Sequence, residues 1–185
     1  MDAILVDNLD QTYLPFERAA ELRKAGLSAP VFVPTKLASD LKKLDMVSEG
    51  IVRVMANVAP LPEFEIIPIA EREPITLNAA YQVRDYLIQK QIKSLLLVVP
   101  GFRSQRSILV FRSVLGRAGV EVACVPVRGG TSPENWAHSL HGVQSFVEQI
   151  LKLMYYRFYV LPFVLRADAR SGALVAGVTP YGVLA

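Results

Sequence analysis

Two arginines that follow an apolar run form the clearest ligand-binding pattern in the sequence. Gly101 lets the backbone approach a ligand closely, and Arg103 and Arg106 fall on the first turn of the helix expected next. A helix N-terminus carries partial positive charge, and a guanidinium group binds phosphate or carboxylate through two parallel hydrogen bonds. The pattern predicts an anion site, unless the two arginines are solvated or paired with Glu71 or Glu73.

Asp7 ends the first apolar run, at a position where a carboxylate has several uses. It could accept a hydrogen bond from a ribose hydroxyl, orient a cationic ligand, help to hold a metal or cap the next turn. No second carboxylate has a spacing that fixes it beside Asp7, so a paired-carboxylate mechanism is not indicated. The polar residues expected near it from the predicted loops are Asn8 and Thr35.

Three side chains that often serve in metal or catalytic sites have simpler explanations. His138 and His141 lie three residues apart on the last predicted helix without a visible third ligand, which favours surface or partly buried histidines over a metal site. Cys124, the only cysteine, lies in an apolar run, where a small buried side chain is expected rather than a nucleophile. We therefore predict no metal site.

The familiar nucleotide-binding and acyl-transfer motifs are absent from the sequence. Where a dinucleotide-binding fold has G-x-G-x-x-G after its first strand, this chain has Asp7, Asn8, Leu9, Asp10 and Gln11, and no P-loop replaces it. No serine has the pattern of a nucleophile elbow, so an α/β-hydrolase triad has no anchor. The sequence leaves open whether the protein is an enzyme.

Five short runs rich in β-branched residues alternate with helical patterns, which predicts a parallel sheet. The runs lie at residues 3–6, 30–34, 64–69, 94–99 and 120–125. Helices are predicted at 16–25, 39–58, 74–91 and 103–118, with a last one from a cap at Ser132 and Pro133 to about residue 157. The expected fold is α/β, a Rossmann-like three-layer doubly wound sheet of about five mainly parallel strands with helices on both faces. Residues 158–165 form either an extra strand or a packed tail.

This architecture predicts where a ligand would bind. In open α/β sheets, ligands bind beyond the carboxyl ends of the strands, where the chain connections change direction. The loops at those ends begin near residues 7, 35, 71, 100 and 128, and they contain most of the polar residues named above.

The composition favours one soluble domain. At 185 residues with 52% hydrophobic content, we expect a single domain over residues 1–165 and a tail over 166–185. No apolar run approaches the roughly 20 residues that span a bilayer, and no signal-peptide pattern opens the chain, so a cytoplasmic location is expected. The net charge of +3 comes from scattered residues, which argues against nucleic acid and leaves a small anion or a protein as the partner.

The stretch 95–107 resembles the YdcF-like family of bacterial proteins, which includes SanA and ElyC. The likeness spans about residues 3–156, and Arg106 matches the family's arginine at the start of the helix. Further support lies in Arg18 and the residues after it, in Thr76 and Asn78, and in Trp136, Glu148 and Lys152. The order and spacing of these positions agree with the fold expected from periodicity.

The chain departs from the family's pattern at the ligand-facing loops. Asp7 and Asn8 replace a glycine cluster after the first strand, and residues 34–36 replace an S-G-G pattern after the second. Arg103 replaces the family's histidine, and the T-x-x-N motif is shortened to residues 76–78. The family's expected acid/base and its close-approach glycines are therefore both missing.

The resemblance implies a Rossmann-like domain that binds a small anionic or nucleotide-like molecule, with S-adenosylmethionine as one candidate because its binding is reported within the family. Arg103, Arg106 and the Gly101 backbone would then hold the anion. Further polar contacts would come from residues of the neighbouring loops and from the shortened family motif: Asp7, Thr35, Thr76 and Asn78. The alternative is a divergent, non-catalytic interaction module linked to the bacterial envelope. Its contact surface would be the aromatic segment 155–159, unless that segment packs against the sheet. A hydrolase or transferase with Asp7 as the base is a third hypothesis.

Overall fold

The computed structural model describes residues 1–9, 12–38, 44–129 and 135–163, which form a five-stranded sheet with helices on both faces. The strands are β1 (Ala3–Val6), β2 (Val31–Lys36), β3 (Glu65–Ile69), β4 (Ser94–Pro100) and β5 (Glu121–Val127). Their order is β3-β2-β1-β4-β5, and neighbouring strands pair in parallel. The prediction of a Rossmann-like, doubly wound α/β fold is confirmed.

The helices form the two outer layers of the fold. They are α1 (Leu14–Lys24), α2 (Met46–Val58), α3 (Ile75–Gln89), α4 (Ser104–Leu115) and α5 (Leu140–Met154). Ile4 of β1 packs in a core with α1 and α2, whereas Leu5 packs in a second core with α3 and α4. Successive side chains of a strand point to opposite faces, so a sheet covered on both faces needs apolar residues at every central position.

The helices α2 and α3 are shorter than the sequence predicts. α2 begins after Asp45, whose carboxylate caps it by accepting a hydrogen bond from the N–H of Ser48 at 3.0 Å, and residues 39–43 lie outside the described ranges. Pro74 has an extended backbone with ψ of 122°, so it caps α3 instead of opening it. α3 ends at Gln89, and Gln91 then adopts a left-handed φ of 56°.

The last described segment is helical. Ser139 caps α5 by accepting a hydrogen bond from the N–H of Gly142 at 3.0 Å, whereas the predicted cap at Ser132 and Pro133 lies outside the described residues. Tyr155–Val160 continues α5 as a π-helical segment, so a strand at residues 158–163 is wrong. The predicted tail, 166–185, is also outside the described ranges. No helix within those ranges is long and apolar enough to cross a membrane.

The carboxyl ends of the parallel strands lie at one edge of the sheet. β1 is at the centre, and the chain leaves it toward β2 on one side, whereas β4, on the other side of β1, leads to β5. The chain direction therefore reverses between β1 and β4. A crevice of this kind is the usual ligand site in open α/β sheets.

Candidate functional site

Asp7 and Arg103 form a buried ion pair at the crevice between β1 and β4. Arg103 Nε lies 3.4 Å from Asp7 Oδ2, and only 4% and 1% of the two side chains are exposed. Ser107 donates a hydrogen bond from its Oγ to the same Asp7 oxygen at 3.1 Å. Asp7 Oδ1 accepts a hydrogen bond from the N–H of Leu9 at 3.2 Å, so the carboxylate also caps the turn that follows β1.

Rigid elements hold this cluster in place. The backbone N–H of Asp7 donates to the carbonyl of Val98 at 2.9 Å, which extends the pairing of β1 with β4 by one residue. Arg103 ends the 3-10 turn Gly101–Arg103, and α4 begins at the next residue. Because a buried charge is costly unless it is paired and hydrogen-bonded, these contacts fix both side chains to one geometry.

A cavity of about 310 Å³ opens beside the ion pair, and we call it the central cavity. Three cationic residues and one acidic residue are among the described residues that line it: Arg103, Arg106, Lys152 and Glu73. Arg106, on the first turn of α4, is 5% exposed, and its guanidinium carbon lies 5.9 Å from the centre of the Tyr156 ring. Thr76 and Tyr156 also line the cavity, which therefore combines positive charge with an aromatic wall.

A smaller cavity lies on the side of β3, and we call it the β3-side cavity. Its volume is about 70 Å³, and it shares Leu9 with the central cavity. Its lining includes Asn8, Lys36 and Glu71. These residues lie in three of the loops at which the sequence predicts a ligand site. Lys36 and Glu71 form an ion pair, and the hydrogen bond with Glu71 raises the pKa of Lys36.

A larger cavity, of about 330 Å³, lies on the side of β5, and we call it the β5-side cavity. It shares Arg103 with the central cavity, and Gly101 lines it. A side chain at Gly101 would begin 3.3 Å from the carbonyl oxygen of Val127, so the approach of β5 also favours glycine at this position. The three cavities together follow the carboxyl edge of the sheet.

Two of the predicted site residues have structural roles instead. Thr35 donates a hydrogen bond to the carbonyl of Val33 at 3.3 Å and, because side chains alternate along a strand, points away from the face on which Lys36 meets its cavity. Asn78 donates from its side-chain amide to the carbonyl of Ala70, which ties α3 to the loop after β3. Neither is among the described residues that line the three cavities.

Arg18 is also not brought to the site. It lies within α1, where it pairs with Glu21 at 2.7 Å, and 43% of its side chain is exposed. An i,i+3 pair on a solvated helix face explains both side chains without a ligand. Arg18 is absent from the described lining of the three cavities.

The sequence reasoning missed several side chains that shape the site. Ser107 follows Arg103 by one helical turn, a spacing that could have shown its contact with Asp7. Lys152 was named only as a position that supports the family resemblance, and not as a site residue. His141, Ser145 and Gln149 recur every four residues on α5 and line the β5-side cavity, so a polar stripe on the last helix was the signal for them.

Three side chains with potential metal or nucleophilic chemistry lie within the described ranges: His138, His141 and Cys124. The described ranges contain no group of three or more His, Cys, Asp or Glu side chains that could hold a metal ion. Burial raises the pKa of the Cys124 thiol to about 11, against a smaller opposing effect of Arg112. The thiol is therefore protonated at neutral pH and is a poor nucleophile.

Comparison of the chain with protein-family models, curated proteins and solved structures found no match. The similarity to the YdcF-like family therefore stays a prediction. The fold by itself does not decide the function either, because Rossmann-like sheets host many unrelated activities. The function has to be argued from the chemistry of the site.

Proposed function

We propose that the protein binds a small anionic molecule, of the phosphate or carboxylate class, in the central cavity. The observation that carries this proposal is the convergence of Arg103, Arg106 and Lys152 on one cavity at the switch point of the sheet. Arginine offers a planar fork of N–H donors that matches phosphate and carboxylate oxygens. Charges interact more strongly when little water surrounds them, so the two buried arginines favour an anion more than surface lysines and arginines would.

In this proposal Asp7 positions Arg103 and does not take part in chemistry. Both of its carboxylate oxygens are engaged, one by the N–H of Leu9 and the other by Ser107 and Arg103. A general base must come within hydrogen-bond reach of the proton that it removes. The buried and fully engaged carboxylate of Asp7 supports a binding role over the hydrolase or transferase hypothesis.

The lining of the central cavity favours a nucleotide-like ligand within the anionic class. Tyr155 and Tyr156 lie on the same cavity as the cationic groups, so an aromatic base and a phosphate could be bound together. S-adenosylmethionine, which the family resemblance suggests, has the aromatic base but carries a sulfonium and an ammonium group beside its one carboxylate. The positive lining therefore favours a nucleotide over S-adenosylmethionine.

A thermal-shift screen followed by calorimetric titration tests this proposal. The probes are inorganic phosphate, adenosine monophosphate, ribose 5-phosphate and S-adenosylmethionine. A ligand at a hundred times its dissociation constant stabilises the native state by about 2.7 kcal/mol, which is a clear rise in melting temperature. We expect the phosphate-bearing probes to produce this rise and the effect to weaken as salt concentration increases.

Lys152 offers a variant that tests the site with little risk to the fold. Its side chain is 48% exposed in a pair with Glu148, and Lys90, 47% exposed in a pair with Glu65, is a matched control distant in the fold. Lys152→Ala should weaken phosphate-ester binding about five- to tenfold, since a charge-assisted hydrogen bond is lost, and Lys90→Ala should not. An equal loss in both variants, or no response of the wild type to any probe, would contradict the proposal.

A second candidate function, an interaction module, is supported by one exposed surface. Tyr155, Phe158, Tyr159 and Phe163 form an aromatic face along the π-helical segment and the residues after it, with Phe158 69% exposed. Tyr155 stacks on Tyr159 at 5.5 Å between ring centres. Tyr156, by contrast, packs into the core, so only part of the predicted aromatic segment is available to a partner. Contiguous exposed apolar surface of this kind marks binding surfaces in many soluble proteins.

A further inference from the structure

The β5-side cavity continues the central cavity past a single side chain. Arg103 is part of the lining of both, and it is fixed there by Asp7. The two cavities have similar volumes, about 310 and 330 Å³, so each can take a group the size of a small ring. A ligand that reaches Arg103 from the central cavity thus meets a second space on its far side.

Two residues that line the β5-side cavity carry buried polar atoms whose hydrogen-bonding capacity is not met. Within the described part of the chain, Thr12 Oγ1 and Gln149 Oε1 are shielded from solvent and have no hydrogen-bond partner. Both residues line this cavity. Buried polar atoms in native proteins nearly always have a partner, either protein, water or ligand, so an occupant of the cavity is expected to supply it.

One face of α5 connects the two spaces. His141, Ser145 and Gln149 stand on successive turns and line the β5-side cavity, and Lys152, three residues further on, lines the central cavity. Residues with this spacing share one face of a helix. The face changes from imidazole, hydroxyl and carboxamide groups to the ammonium group of Lys152 as it passes from one cavity to the other.

The chemistry of the lining selects the kind of group that fits. Hydroxyl and carboxamide groups both donate and accept, which suits a hydroxyl-bearing group that also does both. No Asp or Glu is among the described residues that line the β5-side cavity, so nothing described there favours a cation. An apolar group would leave the buried oxygens of Thr12 and Gln149 without partners.

We propose that the β5-side cavity is a second subsite that binds the polyhydroxylated part, a sugar, of a ligand whose phosphate lies in the central cavity. This inference rests on the proposed anion site and names the substrate class more closely as sugar phosphates. Arg103 stands at the junction of the phosphate and the sugar. Thr12 and Gln149 distinguish a sugar from an alkyl group of similar size.

Calorimetric titration of two phosphate monoesters tests the subsite. Ribose 5-phosphate and n-butyl phosphate carry the same charge, but only the first can hydrogen-bond through several hydroxyls. The wild type should bind ribose 5-phosphate at least tenfold more tightly, which corresponds to two or so hydrogen bonds to buried groups. Thr12→Val and Gln149→Met keep the side-chain volume but remove hydrogen-bonding atoms, and each should weaken ribose 5-phosphate binding about fivefold and leave n-butyl phosphate unchanged.

Gln144→Met provides the matched control, because Gln144 lies on the exposed side of α5 and is not among the described residues that line the cavities. This variant should bind both esters like the wild type. Equal affinities for the two esters in all proteins would show that water alone satisfies the buried oxygens, and would overturn the second subsite while the anion site stands. Failure of both esters to bind would overturn the anion site and the subsite together.

Discussion

The neighbouring helices α4 and α5 are both amphipathic, but they relate to the core in opposite ways. α4 buries a full apolar face against the sheet: Val110, Phe111, Val114 and Leu115. Of the α5 residues only Gly142 is buried. The large apolar side chains that α5 exposes are Leu140, Val147, Ile150, Leu151 and Met154.

This difference suggests that α4 contributes mainly to the stability of the fold and α5 mainly to ligand binding. Because the apolar face of α4 is buried, Arg106 on its first turn is held by a helix that packs against the core. α5 contributes its polar face to the cavities and little apolar burial to the core, so it can loosen at a lower free energy than the sheet. A ligand that bridges the two helices would stabilise α5 more than α4.

Phe111→Ala should produce the largest effect on the free energy of unfolding. Phe111 is 1% exposed in the core between α4 and the sheet. Its truncation removes buried apolar surface and leaves a cavity, with an expected cost of about 3–5 kcal/mol. Urea denaturation followed by circular dichroism measures this loss as a lower midpoint. A loss below about 1 kcal/mol would mean that α4 is not the anchor described here.

The rate at which the Cys124 thiol is alkylated tests the packing of α4 against the sheet. The half-buried thiol lies against the core that α4 covers, and burial raises its pKa to about 11, so it stays neutral below that pH. At pH 8 we expect alkylation by iodoacetamide to be about two orders of magnitude slower than for an unfolded chain, whose thiol has a pKa near 8.5. The same measurement in urea supplies the unfolded rate. Comparable rates in both states would contradict the burial of Cys124 by α4.

The sequence predicts α4 far better than it predicts α5, for a physical reason. α4 follows a continuous apolar strand, and the 3-10 turn Gly116–Ala118 continues it to Gly119, which has a left-handed φ of 76°. The apolar pattern and the glycine therefore agree on where the helical segment begins and ends. The start of α5 depends on Ser139 and the turn before it, where no long apolar periodicity marks the boundary. Local hydrogen bonds, such as the Ser139 cap, therefore set the start of α5, which the spacing of apolar residues does not predict.

The candidate site was predictable where a strand end determines it. Asp7, Arg103 and Arg106 follow from the position of strand ends and helix starts, and the structure places them together. Thr35 was chosen for its position at a strand end and Asn78 through the family resemblance, but side-chain direction and local hydrogen bonds give both residues structural roles. The contributions of α5 depend on long-range packing, which spacing along the chain does not encode.

Gly142→Ala should loosen α5 with a moderate effect on stability. A Cβ at this position would lie 2.2 Å from the carbonyl oxygen of Trp136, so the turn before the helix must shift, at about 1–3 kcal/mol. Trp136, the only tryptophan, stacks on Phe146 at 4.0 Å, and its fluorescence therefore reports on α5. The fluorescence midpoint in urea should fall below the circular-dichroism midpoint.

Gly50→Ala is the control for this variant. Gly50 lies inside α2 with nothing within 4 Å of its would-be Cβ, so alanine should stabilise the helix by about 0.5–1 kcal/mol. A stabilised Gly142→Ala protein would contradict the predicted clash with Trp136. Coincident shifts of both probes would show that α5 unfolds with the sheet as one unit.

Phe158→Ser should have the smallest effect, within about 0.5 kcal/mol of the wild type, because a side chain 69% exposed loses little buried surface on truncation. Tyr156→Ser is the comparison variant, because Tyr156 lies two residues away and is buried in the core. Its truncation leaves a cavity and should lower the free energy of unfolding by about 3–5 kcal/mol. Both values come from urea midpoints at two protein concentrations. A large, concentration-dependent loss in Phe158→Ser would mean that the aromatic face is buried between protein copies, and would favour the interaction module over an α5 that is exposed in the isolated chain.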